Sequence, residues 1–168
     1  MPTPSWTSLA MAEKIVVNTG PLVSLARADL MDVVGRLPYE FICPKEVSQE
    51  IAAGILKGYP IAEPEWLTPT TLSAPLDPVA TASLDMGEAA VIQLAKEQGI
   101  SRVCIDERKG RRAALAVGLK VTGTLGLLSR AKTLGLVPTL GPLVAKLQRA
   151  GAYVDAELVR RVLAGVGE

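Results

Sequence analysis

Apolar positions along the chain fall alternately into short β-branched runs and longer stretches with helical spacing. Lys14 to Val17 is the first run, and it stops at Asn18-Thr19-Gly20-Pro21, where a Gly-Pro turn hands over to the apolar-periodic stretch Leu22 to Leu37. The unit then repeats. Tyr39 to Cys43 reads as a strand, Pro44 stands at the favoured first helical position, and Val47, Ile51 and Ile55 recur at four-residue spacing toward an end near Gly58. Tyr59 to Pro78 carries five prolines among Thr and Ser, which predicts an irregular connection with one short strand around Trp66-Leu67. Leu84 to Glu88 opens a helix through Ala89, Ile92, Leu94 and Ala95 that closes at Gly99. Arg102 to Ile105 is the next strand, ending on Asp106, and a helix runs from Glu107 to about Val117. Lys120 to Thr122 is a further strand, Leu125, Leu128, Ala131 and Leu134 mark a helix after Thr124, and two amphipathic segments follow, Pro142 to Ala150 and Asp155 to Leu163.

Strands alternating with helices predict a three-layer α/β/α sandwich with a central, mostly parallel sheet of four to five strands and right-handed crossovers. At 168 residues and 49% apolar, the chain is long enough for one domain with a sizeable core. Residues 1–12 lack periodicity and read as a tail, with Met11 a second candidate start, and residues 13–168 as the domain. No apolar run reaches the roughly 18 residues of a membrane span, and no signal pattern opens the chain, so a soluble, cytoplasmic protein is expected.

Composition narrows the chemistry chiefly through what is missing. There is no histidine, which removes Ser-His and Cys-His nucleophilic pairs, imidazole bases and imidazole metal ligands. Carboxylates, lysine, hydroxyls and oxygen-bound hard cations are left. Cys43 and Cys104 sit in or beside apolar runs without the spacing of a zinc pair and read as buried, reduced thiols. Aromatics total only 4% and the net charge is +1, so contact with nucleic acid must run through local charge rather than broad stacking platforms or the whole-molecule field.

In parallel sheets the ligand crevice lies beyond the carboxyl ends of the strands. Asn18 and Asp106 both stand there, with Glu107 at the same edge. Glu46 and Glu50 lie one turn apart on the second helix, and Glu88 falls in the first turn of a later one. From Arg102 to Lys120 there are six basic residues (Arg102, Arg108, Lys109, Arg111, Arg112 and Lys120) against two acids, directly after the strand-end aspartate. Such charge positions a phosphate backbone without reading its sequence. Ordinary roles stand beside each reading. Asp106 can cap the helix after it, Asp85 with Glu88 fits a capping box, Asn18 and Thr19 suit a turn, and the basic run suits a solvated face.

The pieces IVVNTGPLVSLA, ICPKEVSQEI, LDMGEAAVIQLA, VCIDERKGRRAA and VTGTLGLLSRAK resemble, in order and spacing, the PIN-domain family, and more narrowly its VapC-like branch, over roughly Lys14 to Leu163. That resemblance implies a small α/β sandwich whose acidic residues bind Mg²⁺ or Mn²⁺ and hydrolyse RNA. Carried over by position, the four catalytic and metal-binding places fall on Asn18, Glu50, Glu88 and Asp106, with an amide where the commoner pattern has aspartate at Asn18 and a glutamate for aspartate at Glu88. Arg108, Lys109, Arg111 and Arg112 are the expected nucleic-acid contacts, and Thr19 and Thr124 are expected to hold a metal-bound water or a phosphate oxygen. The implied function is a metal-dependent endoribonuclease, the toxin of a toxin and antitoxin pair, acting on an RNA substrate with a small antitoxin protein as partner. A homodimer is also implied, for which Leu25, Leu30 and Val34 supply either a surface or core. The alternatives are a catalytically weak or inactive PIN-like module binding RNA or a protein and, from another class, a receiver-like or phosphatase-like domain with Asp106 as phosphate acceptor.

Overall fold

Ile15, Val16 and Val17 are buried almost completely, as a strand covered on both faces by helices requires, and they form the middle of the sheet. A computed structural model describes residues 12–56 and 61–168. In chain order the elements are β1 (Glu13–Val17), α1 (Thr19–Arg27), α2 (Met31–Gly35), β2 (Tyr39–Pro44), α3 (Lys45–Leu56), β3 (Leu67–Thr70), α4 (Pro78–Ser83), α5 (Met86–Gln98), β4 (Arg102–Cys104), α6 (Arg108–Ala116), β5 (Lys120–Thr122), α7 (Thr124–Thr133), α8 (Gly141–Arg149) and α9 (Ala156–Gly165). The five strands lie in the order β3-β2-β1-β4-β5, and every pair is parallel. Pro69 is tolerated in β3 because that strand is an edge, where a missing N–H costs no ladder bond on the open side. The expected α/β/α architecture is therefore the observed one.

The chain builds outward from β1 to β2 and β3, then returns to the other side of β1 for β4 and β5. That reversal leaves a crevice at the carboxyl ends of β1 and β4. Helix α5 packs on β1, β2 and β4 and on α3, while α7 packs on α1, α2, α9 and β5.

Two local readings change and two others resolve. Gly20 and Pro21 sit inside the first turn of α1 rather than in a turn before it, since a proline there removes only an N–H that the helix leaves unpaired anyway. The helices read over Leu22 to Leu37 are α1 and α2, which part where Asp29 takes a left-handed φ of 57°. Helix α4 was not expected, because none of its residues is buried and so no apolar period marks it; Asp77 caps it through the Val79 N–H, with Pro78 in its first turn. Leu25, Leu30 and Val34 are buried in the core, so they offer no dimer surface. The expected tail (Ala12 apart) and the helix end near Gly58 lie outside the described residues. Cys43 and Cys104 are free and buried, and burial, with Glu63 nearby, pushes the Cys43 thiol up to about 12. No helix among the described residues is long and apolar enough to cross a membrane.

Candidate functional site

Register brings the first two candidates together. Val17 pairs with Cys104, and the Asn18 N–H donates to the Cys104 carbonyl at 3.0 Å, so Asn18 and Asp106 leave the sheet at adjacent strand ends. Asn18 precedes α1 with extended backbone, yet its side chain makes no capping bond. Its Oδ1 is buried and has no hydrogen-bond partner among the described residues. Leaving such an acceptor unpaired costs about 1–3 kcal/mol, a cost that a bound electropositive group would offset.

Glu50 shares that space. A Cβ placed on Gly87 would stand 2.7 Å from Glu50 Oε1 and 3.1 Å from Asn18 Oδ1, so only a residue without a side chain lets both oxygens approach. Gly87 lies in the first turn of α5 at ordinary negative φ, so space, not backbone freedom, calls for glycine. The Thr19 hydroxyl donates to Glu50 Oε2. One turn back, Glu46 Oε2 is a second buried oxygen without a partner among the described residues.

Glu88 makes the capping box suggested by the sequence: its N–H donates to Asp85 Oδ1 at 2.7 Å, and its Oε2 accepts from the Asp85 N–H at 3.4 Å. The box does not exhaust its role, because Glu88 is only 4% exposed, unusual for an acid. Its carboxyl lies over Gly110 of α6, where a Cβ would meet Oε1 at 3.0 Å. Burial, followed by the nearby Asp85 carboxylate, raises its pKa; Glu107 adds to the rise, while the Asp85 N–H and Lys109 oppose it.

Asp106 does not cap α6, whose N-cap is Glu107 without a side-chain bond. Instead it braces the start of α7: Oδ1 accepts from the Thr124 N–H at 2.8 Å and Oδ2 from the Thr124 hydroxyl at 2.6 Å. Gly123 lies beneath it, and a Cβ there would meet Asp106 Oδ1 at 2.8 Å and Arg111 Nη1 at 2.9 Å. Arg111 in turn donates Nη1 to the Ile105 carbonyl at 2.8 Å.

Asn18 and Glu50 thus meet over Gly87, Glu88 follows next in the chain, and Asp106 stands at the neighbouring strand end. No three Cys, Asp or Glu side chains among the described residues come close enough to hold a metal ion by themselves. The donor chemistry is nonetheless that of a hard cation, oxygen throughout, with the buried Asn18 Oδ1 lacking a partner. The Thr19 and Thr124 hydroxyls donate to Glu50 and Asp106 and so position the acids. Arg108, Lys109 and Arg112 are exposed, and Arg111 is half-buried. Gly87, Gly110 and Gly123 escaped the sequence reading. For Gly87 and Gly110 the available signal was glycine inside helices, where it costs up to about 1 kcal/mol against alanine and so needs a reason, while Gly123 stands just before α7 and carried no such signal.

A family model described as a PIN domain matches residues 14–168. No curated protein matches the chain.

Proposed function

The chain belongs to the PIN domain family, generally a nuclease fold, and from that premise we propose that it is a metal-dependent endoribonuclease that hydrolyses RNA phosphodiester bonds. The observation that carries this reading is the buried, partnerless Asn18 Oδ1 sharing the space over Gly87 with Glu50. Glu50, Glu88, Asp106 and Asn18 are the groups that would hold Mg²⁺ or Mn²⁺, which when bound makes water a better nucleophile and neutralises charge building on the phosphate. Thr124 fixes both oxygens of Asp106, and Thr19 fixes one of Glu50, so these acids need little rearrangement to engage substrate. Arg108, Lys109, Arg111 and Arg112 follow Asp106 directly and hold the RNA backbone.

The VapC-like resemblance extends the reading to the toxin of a cytoplasmic toxin and antitoxin pair, with a small antitoxin protein over the crevice and a homodimer formed through a surface other than Leu25, Leu30 and Val34. The test is cleavage of structured RNA with Mg²⁺ or Mn²⁺ by wild type and by Asp106→Asn. Wild type should cut, and the variant should lose more than the roughly 10–100-fold that losing an outer partner of a metal ligand costs. Equal cleavage rejects the assignment. One observation favours a second reading, a catalytically weak or inactive module that binds RNA or a protein: no three acids among the described residues meet closely enough to ligate a metal by themselves. RNA binding without calorimetric uptake of Mg²⁺ or Mn²⁺ at millimolar concentration would select it.

A further inference from the structure

Beyond Asp106 and Thr124 the crevice opens into a cleft of about 1390 Å³. Sites shaped for small molecules occupy roughly 300–1,000 Å³, so an extended polymer suits this one better. Val121 and Thr122 of the edge strand β5 line it, and the segment from Ala152 into α9 forms another part of its lining. Every basic residue lining it is arginine: Arg102, Arg108, Arg111, Arg112, Arg130 and Arg161. Six of the chain's ten arginines are there and none of its eight lysines. Guanidinium groups meet phosphate through a planar fork that an ammonium lacks.

Two of the six are committed. Arg102 bonds Glu13 and Thr122 at 2.8 and 2.9 Å, and Arg111 bonds the Ile105 carbonyl. Arg108 and Arg112 on α6, Arg130 on α7 and Arg161 on α9 have no ion pair or side-chain hydrogen bond among the described residues. Tyr153 lines the same cleft and is 93% exposed, an aromatic face left in water at the lead into α9. That helix is anchored, since Val159, Val162 and Leu163 pack on the core and the Glu168 carboxylate accepts from the Leu140 and Gly141 N–H groups.

We propose that Arg130, Arg161 and Tyr153 form a distal subsite for single-stranded RNA, gripping nucleotides away from the phosphate that is cut; this rests on the nuclease reading of the acids. Unpaired guanidinium groups supply the phosphate contacts. The exposed ring supplies a stacking face, which only an unpaired base can use, because a duplex hides its base faces. An acidic protein segment would satisfy the arginines but would leave the ring without a base to stack on.

The test is fluorescence anisotropy on the full chain in EDTA, with a single-stranded RNA of about 12 nucleotides, within the span of one single-strand module, and with the matching duplex. Replacing both Arg130 and Arg161 with Ala should weaken single-strand binding about tenfold and flatten the log–log salt slope by about 1.4, each lost phosphate contact removing about 0.7. Tyr153→Ala should weaken single-strand binding by roughly tenfold, the order of one lost stack, with the salt slope and duplex binding unchanged. With metal present, the triple variant should cut a dinucleotide as wild type does while its KM for the long strand rises. If wild type cuts RNA and all three variants match it in affinity and KM, the subsite is overturned and the nuclease reading stands. If the variants keep RNA affinity but lose binding of a polyglutamate peptide, the surface belongs to an acidic protein and the subsite is likewise overturned. If wild type neither binds nor cuts RNA, the nuclease reading fails first and takes the subsite with it.

Discussion

The two sides of the crevice are built on opposite principles. On the acid side, side chains are tied down: Asp106 by two bonds from Thr124, Glu50 by Thr19, and Glu88 by burial and its capping box. On the arginine side, Arg108, Arg112, Arg130 and Arg161 hold no partner among the described residues. On the proposed function the contrast teaches that fixed geometry is spent where the bond would break, while the polymer would be met by groups free to follow its backbone. Substitutions on the acid side should therefore act on turnover, and those on the arginine side on affinity and its salt dependence.

The sharpest test is Glu88→Gln, which should lose as much cleavage as any single change, beyond roughly 100-fold. It should also make the metal-free protein more stable. A carboxyl whose pKa is raised by folding, here from 4.5, contributes stability below that ordinary value and loses it as pH rises through the raised one. In EDTA at neutral pH the Gln variant should thus melt above wild type, and the gap should close as pH falls below the ordinary value. A variant that melts lower at pH 7 would break the assignment of burial as the dominant cause.

Next comes Gly87→Ala. Its Cβ meets side-chain oxygens of Glu50 and Asn18 rather than backbone, so activity should fall about 10–100-fold, while Tm changes little because alanine's better fit to a helix offsets the shift of those oxygens. Unchanged cleavage would mean that the space those oxygens share has no catalytic use. A smaller loss, about tenfold, is expected of Thr124→Val, which removes the hydroxyl bond to Asp106 but keeps the backbone one, at a cost of about 1 kcal/mol in a denaturant melt. The smallest effect on turnover belongs to Arg108→Ala with Arg112→Ala: kcat should stay near wild type while the salt slope of RNA binding drops by about 1.4. A fall in kcat with an unchanged slope would erase the contrast between the two sides.

Much of this is legible in the sequence. Strand ends and helical stripes are local patterns, so Asn18, Glu50, Glu88 and Asp106 could be assigned to elements, and α5 even to its capping box. What could not be read were relations set by distance in space. That Thr124 holds Asp106 depends on β5 lying beside β4, and that Gly87 lies under Glu50 depends on how α3 meets α5. Helix α4 was missed for a different reason, since it buries nothing and its only marks are an aspartate and a proline in a proline-rich stretch. The place of Arg161 was hidden because α9 reads as one more amphipathic helix, and only the folded chain brings it to the same cleft as Arg108.

Asn18 donates to the carbonyl of Cys104, and β1 reaches its place in the sheet only when β4 lies alongside it. Pairings so far apart along the polymer are the slow steps of folding, because the intervening loop must close before any contact rewards it. A chain still emerging from the ribosome therefore has Asn18 and Glu50 but neither Asp106 nor the strand that presents it. A nuclease of the kind proposed, assembled in that order, would be harmless to the message encoding it until synthesis has passed β4.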